Sequence, residues 1–205
     1  MHEDTKPLRI GVVCYPTFGG SGVVATELGL AMAEKGHTVH FITYDRPVRL
    51  LAFSENVFYH EVRPQTYPLF EHTPYESALV SKIVDVARFE GLDLLHVHYA
   101  LPHASVAYMA QQILRDYGCD LPFITTLHGT DITVVGRDDS YKPIVTFGIN
   151  QSDAITTVSE SLRAETLEYF PIRKPIEVVP NFIEMERYQP RTEGGLRQRI
   201  AAHGE

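Results

Sequence analysis

The sequence has little that would staple it, target it or bind it to a polyanion. Its two cysteines, Cys14 and Cys119, cannot build a disulfide framework, and their scarcity fits a reducing, cytoplasmic setting. A basic excess is missing. The 18 Lys and Arg stand against 26 Asp and Glu, a formal net charge of −8, which speaks against a nucleic-acid partner. No apolar run reaches the roughly 18–20 residues of a membrane span. The opening MHEDTKPLRI has no apolar signal region, because its first hydrophobic stretch is short and strand-like. Internal repeats and low-complexity segments are absent as well. What is there, 205 residues of which 44% are hydrophobic and 21% charged, is an ordinary globular composition with enough length for one sizeable core.

Apolar runs alternate with helix-like stretches. Residues 8–14 (LRIGVVC) form a β-branched run typical of a strand buried on both faces. Further strands are predicted over 38–43, 57–62, 93–98, 122–127, 154–158 and 176–179. Between them, helical spacing of apolar residues predicts helices over 23–34, 74–89, 101–117, a stretch containing 144–149, and 159–169 with Ser159 as N-cap. Strands separated by helices of this length make βαβ units, so the expected fold is α/β: a doubly wound, mainly parallel, Rossmann-like sheet. The domain is expected to occupy 1–183. The polar stretch 184–205 reads as a linker leading into a second domain, because its short apolar piece has no evident partner within the chain.

Ligands of such sheets bind beyond the carboxyl ends of the strands, which makes those ends the candidate site. After the first strand comes Tyr15-Pro16-Thr17-Phe18-Gly19-Gly20-Ser21-Gly22. Three glycines in four residues let a ligand approach the backbone, and the following helix offers free N–H groups to an anion. The same loop holds Gly20-Ser21-Gly22-Val23-Val24-Ala25, a G-x-G-x-x-A match, with Asp45 after the second strand; a dinucleotide-binding dehydrogenase is therefore a rival reading. Against it, Tyr15 to Phe18 intervene between strand and glycines. A non-catalytic sugar- or anion-binding module is a third reading. The fourth strand ends in His96-Val97-His98-Tyr99. No acidic ligand follows the two histidines at a suitable spacing, so no metal site is expected there. The fifth strand runs into Thr125-Thr126-Leu127-His128-Gly129-Thr130-Asp131, where His128 can donate to a sugar or phosphate and Asp131 can cap a turn or orient a donor. The last strand ends at Pro180-Asn181.

Taken together, Gly19-Gly20, His128-Gly129-Thr130-Asp131, Thr157-Val158-Ser159 and Pro180-Asn181-Phe182 resemble the N-terminal domain of the GT-B glycosyltransferases of family 4. Tyr99-Ala100-Leu101-Pro102-His103-Ala104 and Thr126-Leu127-His128-Gly129-Thr130-Asp131 narrow the likeness to members that build the sugar–malate precursor of bacillithiol. The resemblance implies a retaining transfer of N-acetylglucosamine from UDP-GlcNAc to L-malate, with no cofactor and no metal. It also implies a C-terminal domain that grips the nucleotide, and it leaves a homo-oligomer open. Carried over residue by residue, Gly19, Gly20 and His128 would meet the donor, with His128 catalytic. Ser21, Tyr99, Thr126 and Asn181 would bind malate. Malate's two carboxylates call for local positive charge, for which Lys142, Arg49 and Arg137 are candidates.

Overall fold

The computed structural model of the chain describes residues 6–50, 54–183 and 185. Seven strands, β1 (Arg9–Val13), β2 (Thr38–Thr43), β3 (Val57–Glu61), β4 (Leu94–His98), β5 (Phe123–Leu127), β6 (Ala154–Thr157) and β7 (Ile176–Val178), are separated by helices except between β2 and β3, where none lies among the described residues. The helices are α1 (Ser21–Glu34), α2 (Tyr75–Glu90), α3 (Ser105–Asp116), α4 (Thr130–Thr133), α5 (Lys142–Gln151) and α6 (Glu160–Tyr169). The sheet order is β3-β2-β1-β4-β5-β6-β7, and every pairing is parallel. Because the chain starts in the middle and winds outward in both directions, β1 and β4 are the neighbours at which the winding reverses. Their exits leave a crevice.

Successive strand residues face opposite sides, which sorts the core. Val13, Ile42, Leu95, Val97 and Phe123 pack under α2 and α3, while Ile10, Val12, Val39 and Phe41 pack under α1. Leu127 and Ile155 continue the first face beneath Val145 and Ile149 of α5 and Leu162 of α6. The helices are thus shared unequally, with α1 alone on its face among the described residues. Beside it the same face of the sheet carries His96, His98, Thr126 and Thr156.

The expected elements are found with ends shifted by one to two residues, with one substantive difference among them, and the short α4 stands outside the expected set. The helix anticipated over 101–117 begins only at Ser105. Leu101 is extended (φ −115°, ψ 128°), since the residue before a proline is pushed out of the α region by the proline ring, and Ala100–Ala104 forms a separate turn. Ser159 caps α6 as expected, its hydroxyl accepting from the Leu162 N–H at 3.2 Å. The anticipated linker 184–205 lies outside the described residues except for Met185.

Candidate functional site

The exits of β1, β2, β3, β4 and β5 surround a cavity of about 970 Å³. Its first wall is the connection from β1 to α1. Gly20 sits at φ 59°, ψ −135°, a backbone shape that side chains disfavour, and it directs the first N–H groups of α1 outward without a side-chain cap. The glycines of this loop divide by role. A Cβ on Gly22 would stand 2.2 Å from the Tyr15 carbonyl oxygen, so that glycine exists to let α1 close on the loop. A Cβ added to Gly19 or Gly20 would meet nothing within 4 Å. Gly22→Ala is accordingly expected to cost about 3 kcal/mol in urea unfolding, because backbone must move. Gly19→Ala, with open space and no positive φ, is expected to stay within about 0.5 kcal/mol of the parent.

The opposite wall is the exit of β4. Tyr99 has φ 92°, the one positive value at a non-glycine residue among those described, at a cost of about 1–3 kcal/mol. Its hydroxyl, 2.6 Å from Thr130 Oγ1, and its ring, edge-on to Tyr15 at 5.3 Å, are both held at the cavity surface. Tyr15 in turn donates to the Leu101 carbonyl at 3.3 Å and packs on His103. Burial raises Tyr99 above the usual phenol range and pushes Tyr15 to about 12, so both remain neutral hydroxyl groups at physiological pH. Tyr44, Tyr75 and Tyr141 line the same space. Glu76 is the single charged residue among those lining it.

Behind this surface runs a chain of histidines. His96 Nε2 lies 2.7 Å from Thr126 Oγ1, the His96 and His98 rings stack at 4.3 Å, and His98 Nδ1 meets His128 Nε2 at 3.0 Å. His103 donates through Nδ1 to the His98 carbonyl at 2.6 Å. Burial lowers all four, with His96, His103 and His128 at about 4, because a charged imidazolium has no water to solvate it there. His128 is therefore a neutral ring near pH 7, able to donate or accept one hydrogen bond but not to act as an imidazolium. Asp131 is fully buried. Its carboxylate accepts from the N–H groups of Gly129 (2.8 Å), Ala100 (3.1 Å) and His128 (3.2 Å), which ties the exit of β4 to that of β5.

Of the residues singled out in the sequence, Gly20, Ser21 and Tyr99 line the large cavity, whereas Gly19 is not among its lining residues. Thr126 and Asn181 instead line a separate hollow of about 120 Å³ on the α1 face, together with His96 and His98. The Thr126 hydroxyl is already engaged by His96 and Thr156. Lys142 borders a third hollow with Thr146 and Arg173. Arg49 pairs with Glu27 at 3.0 Å, and Arg137 pairs with Glu165 while lying over the Tyr169 ring. None of these three cations lines the large cavity. Sequence reasoning missed Tyr44, Tyr75, Glu76 and Tyr141 as wall residues. Their one legible signal is that Tyr44, Tyr75 and Glu76 follow strands toward their carboxyl ends.

The profile of Glycosyltransferase Family 4 matches residues 18–187. N-acetyl-alpha-D-glucosaminyl L-malate synthase of Bacillus anthracis is 51% identical over 181 residues, which is 88% of this chain and 47% of that protein. The chain thus spans about half the length of this relative. Among solved structures, Anabaena HepE, determined with UDP-glucose, superposes with a TM-score of 0.72 over 97% of this chain and 51% of its own, at 15% identity. A glycosyltransferase of Rickettsia africae gives 0.70 over 97% and 49%, at 16% identity. At such identities these two speak to the fold alone, the Rossmann-like α/β fold found in GT-B glycosyltransferases.

Proposed function

Because the chain belongs to glycosyltransferase family 4, we propose that it is the acceptor-binding half of an enzyme that moves N-acetylglucosamine from UDP-GlcNAc to the hydroxyl of L-malate, the first step toward bacillithiol. In this reading residues 1–183 form the acceptor domain, 184–205 lead to the nucleotide-gripping half, and the enzyme works in the cytoplasm. No described helix is long and apolar enough to cross a membrane. Family membership displaces the dinucleotide reading of the glycine loop. The observation that carries the proposal is the strained Tyr99 backbone at the wall of a cavity whose other wall is a glycine loop and an uncapped helix start. Strain of this kind persists only where surrounding structure enforces it, and it collects at ligand sites.

The chemistry follows from what the walls offer. Hydroxyl groups of Ser21 and Tyr99 and the N–H groups of α1 suit an anionic, hydroxylated acceptor and a diphosphate. Retention through a covalent intermediate needs a carboxylate nucleophile. The lining carboxylate is Glu76, at the first turn of α2, and Asp131 is committed to three backbone N–H groups. Asp131 is thereby occupied, and attack on the same face as departure is taken from the family resemblance. The bond from the anomeric carbon to the diphosphate oxygen breaks, that from the malate oxygen forms, and the malate proton passes to the leaving phosphate. Positioning and charge stabilisation are then the protein's contribution. Since Lys142, Arg49 and Arg137 stand away from the cavity, the cations facing malate's carboxylates come from outside its described walls.

Calorimetric titration with L-malate tests the reading. One-to-one binding that Tyr99→Phe weakens about tenfold is expected, the loss of one hydrogen bond to a charged group. No heat at millimolar malate, or equal affinity in the variant, counts against it. In the enzyme carrying both halves, His128→Ala is expected to lower kcat by about a hundredfold while malate binding changes little. Unchanged turnover removes His128 from the mechanism.

A further inference from the structure

Outside the crevice, on the sheet face that carries α2, strands β2 and β3 each present a histidine. The parallel register sets His40 beside Phe58 and Ile42 beside His60, so both imidazoles leave the sheet on one side. His40 is only 2% exposed and stacks between Phe58 (5.0 Å) and His60 (5.2 Å). Its Nδ1 lies 2.9 Å from His60 Nε2. The last residue of α2, Glu90, brings a carboxylate oxygen within 4.8 Å of a nitrogen on each ring. Among the described residues no other three histidine, cysteine or acidic side chains meet that spacing.

We propose that His40, His60 and Glu90 bind one zinc-like divalent transition-metal ion, clamping the edge strand β3 and β2 to the end of α2. Two imidazoles and a carboxylate, with a position left for water, form a donor set suited to zinc and its neighbours. The geometry is close to what such an ion requires. Metal–nitrogen bonds of about 2.0–2.1 Å at tetrahedral angles place two ligating nitrogens about 3.3 Å apart. The two rings need to open by only a few tenths of an ångström, and the exposed Glu90 side chain supplies the larger adjustment by a rotamer change.

Glu90 stands at the negative end of the α2 dipole, where a carboxylate is disfavoured without a nearby cation. Arg88, the basic residue of that turn, lies instead over the Tyr117 ring at 3.9 Å. Beside the cluster a hollow of about 270 Å³, bordered by His60, Glu90 and Asp85, leaves room for the remaining water ligand. Lys82 borders the same hollow, and Arg9 donates to the Glu90 backbone carbonyl. These opposing charges weaken the site relative to a closed structural zinc centre. None of the three ligands lines the crevice, so the ion's role is to fasten the sheet edge and not to take part in transfer.

The test uses the 205-residue chain freed of metal by chelation. Calorimetry with zinc chloride is expected to give one ion per chain, cobalt(II) to show the visible absorption of four-coordinate ligation, and zinc to raise Tm. His60→Gln and Glu90→Gln, changed at less buried positions than His40, are expected to remain folded by circular dichroism. Each should weaken zinc binding at least tenfold and abolish the zinc-dependent rise in Tm. A chain without stoichiometric zinc binding, or with equal affinity in both variants, overturns the proposal.

Discussion

Acidification from pH 7 toward pH 4 is expected to unfold the chain cooperatively, with the loss of stability beginning near pH 6.5. His96, His98 and His103 are each less than 10% exposed, and all three titrate in the folded state far below the ordinary value of 6.5, at about 4 for His96 and His103. Below pH 6.5 the unfolded chain takes up protons that the folded chain refuses. The stability is therefore complete above 6.5 and falls as pH drops toward the folded values. Each such ring contributes about 1.4 kcal/mol per pH unit in that window, so the three together approach about 4 kcal/mol per unit. The half-buried His128 adds a smaller share, discounted for solvent screening. A domain of ordinary stability, about 5–15 kcal/mol, crosses its midpoint within a few pH units of neutrality under such a slope. Near-ultraviolet circular dichroism against pH reads the transition, and proton uptake on thermal unfolding near pH 5 should exceed three per chain, because His40, 2% exposed and also at about 4, and His128 add to these three. A fold that keeps its full stability down to pH 4 would show that these rings are solvated after all.

Asp131→Ala is expected to cost about 3 kcal/mol or more in urea unfolding. The side chain is fully buried, and its carboxylate satisfies the N–H groups of Ala100, His128 and Gly129. Burial alone raises its pKa, while those bonds oppose the rise, so the charge is tolerated only because the backbone surrounds it. Removing the carboxylate strands one buried donor, at about 1–3 kcal/mol, and two part-buried ones at less each, partly offset by relief of the buried charge. Asp131→Asn, with one oxygen left to accept, is expected to fall between parent and alanine variant. On the proposed function, either change should lower kcat of the enzyme carrying both halves, because the bond to Ala100 and the bond to His128 fix the two lips of the crevice relative to each other. An Asp131→Ala chain within about 1 kcal/mol of the parent would mean that the three N–H groups find other partners.

The sequence offered Asp131 either as a turn cap or as an acid orienting a neighbouring donor, and in the structure its carboxylate holds the backbone N–H groups of its own turn and of Ala100. The glycine loop was legible for a local reason: three glycines at a strand–helix junction mark a backbone with special demands wherever it occurs. The functional split within it was not, because the demand on Gly22 comes from Tyr15 and Thr17 folding back, and the freedom of Gly19 and Gly20 comes from the space beyond them. Tyr99 was singled out by its place at a strand end, but its positive φ is imposed by the turn and contacts around it, including the bond to Thr130. His96 and His98 were legible as neighbours on one strand face. Their continuation through Thr126 and His128 required β5 to lie in register beside β4.

Alternating apolar periodicity and turn residues are properties of adjacent positions, and from them the sequence alone determined the order of strands and helices, their parallel α/β arrangement and the strand-end loops that border the crevice. The composition of the crevice wall was decided by tertiary structure. Tyr15, Tyr44, Tyr75, Tyr99 and Tyr141 meet because β1 and β4 are neighbours while β2 and β3 lie on one side and β5 on the other. The same arrangement sends Thr126 and Asn181 to another face and leaves Lys142, Arg49 and Arg137 outside. Which distant segments pair is set by the packing of whole strands and helices, and no short stretch of sequence encodes it.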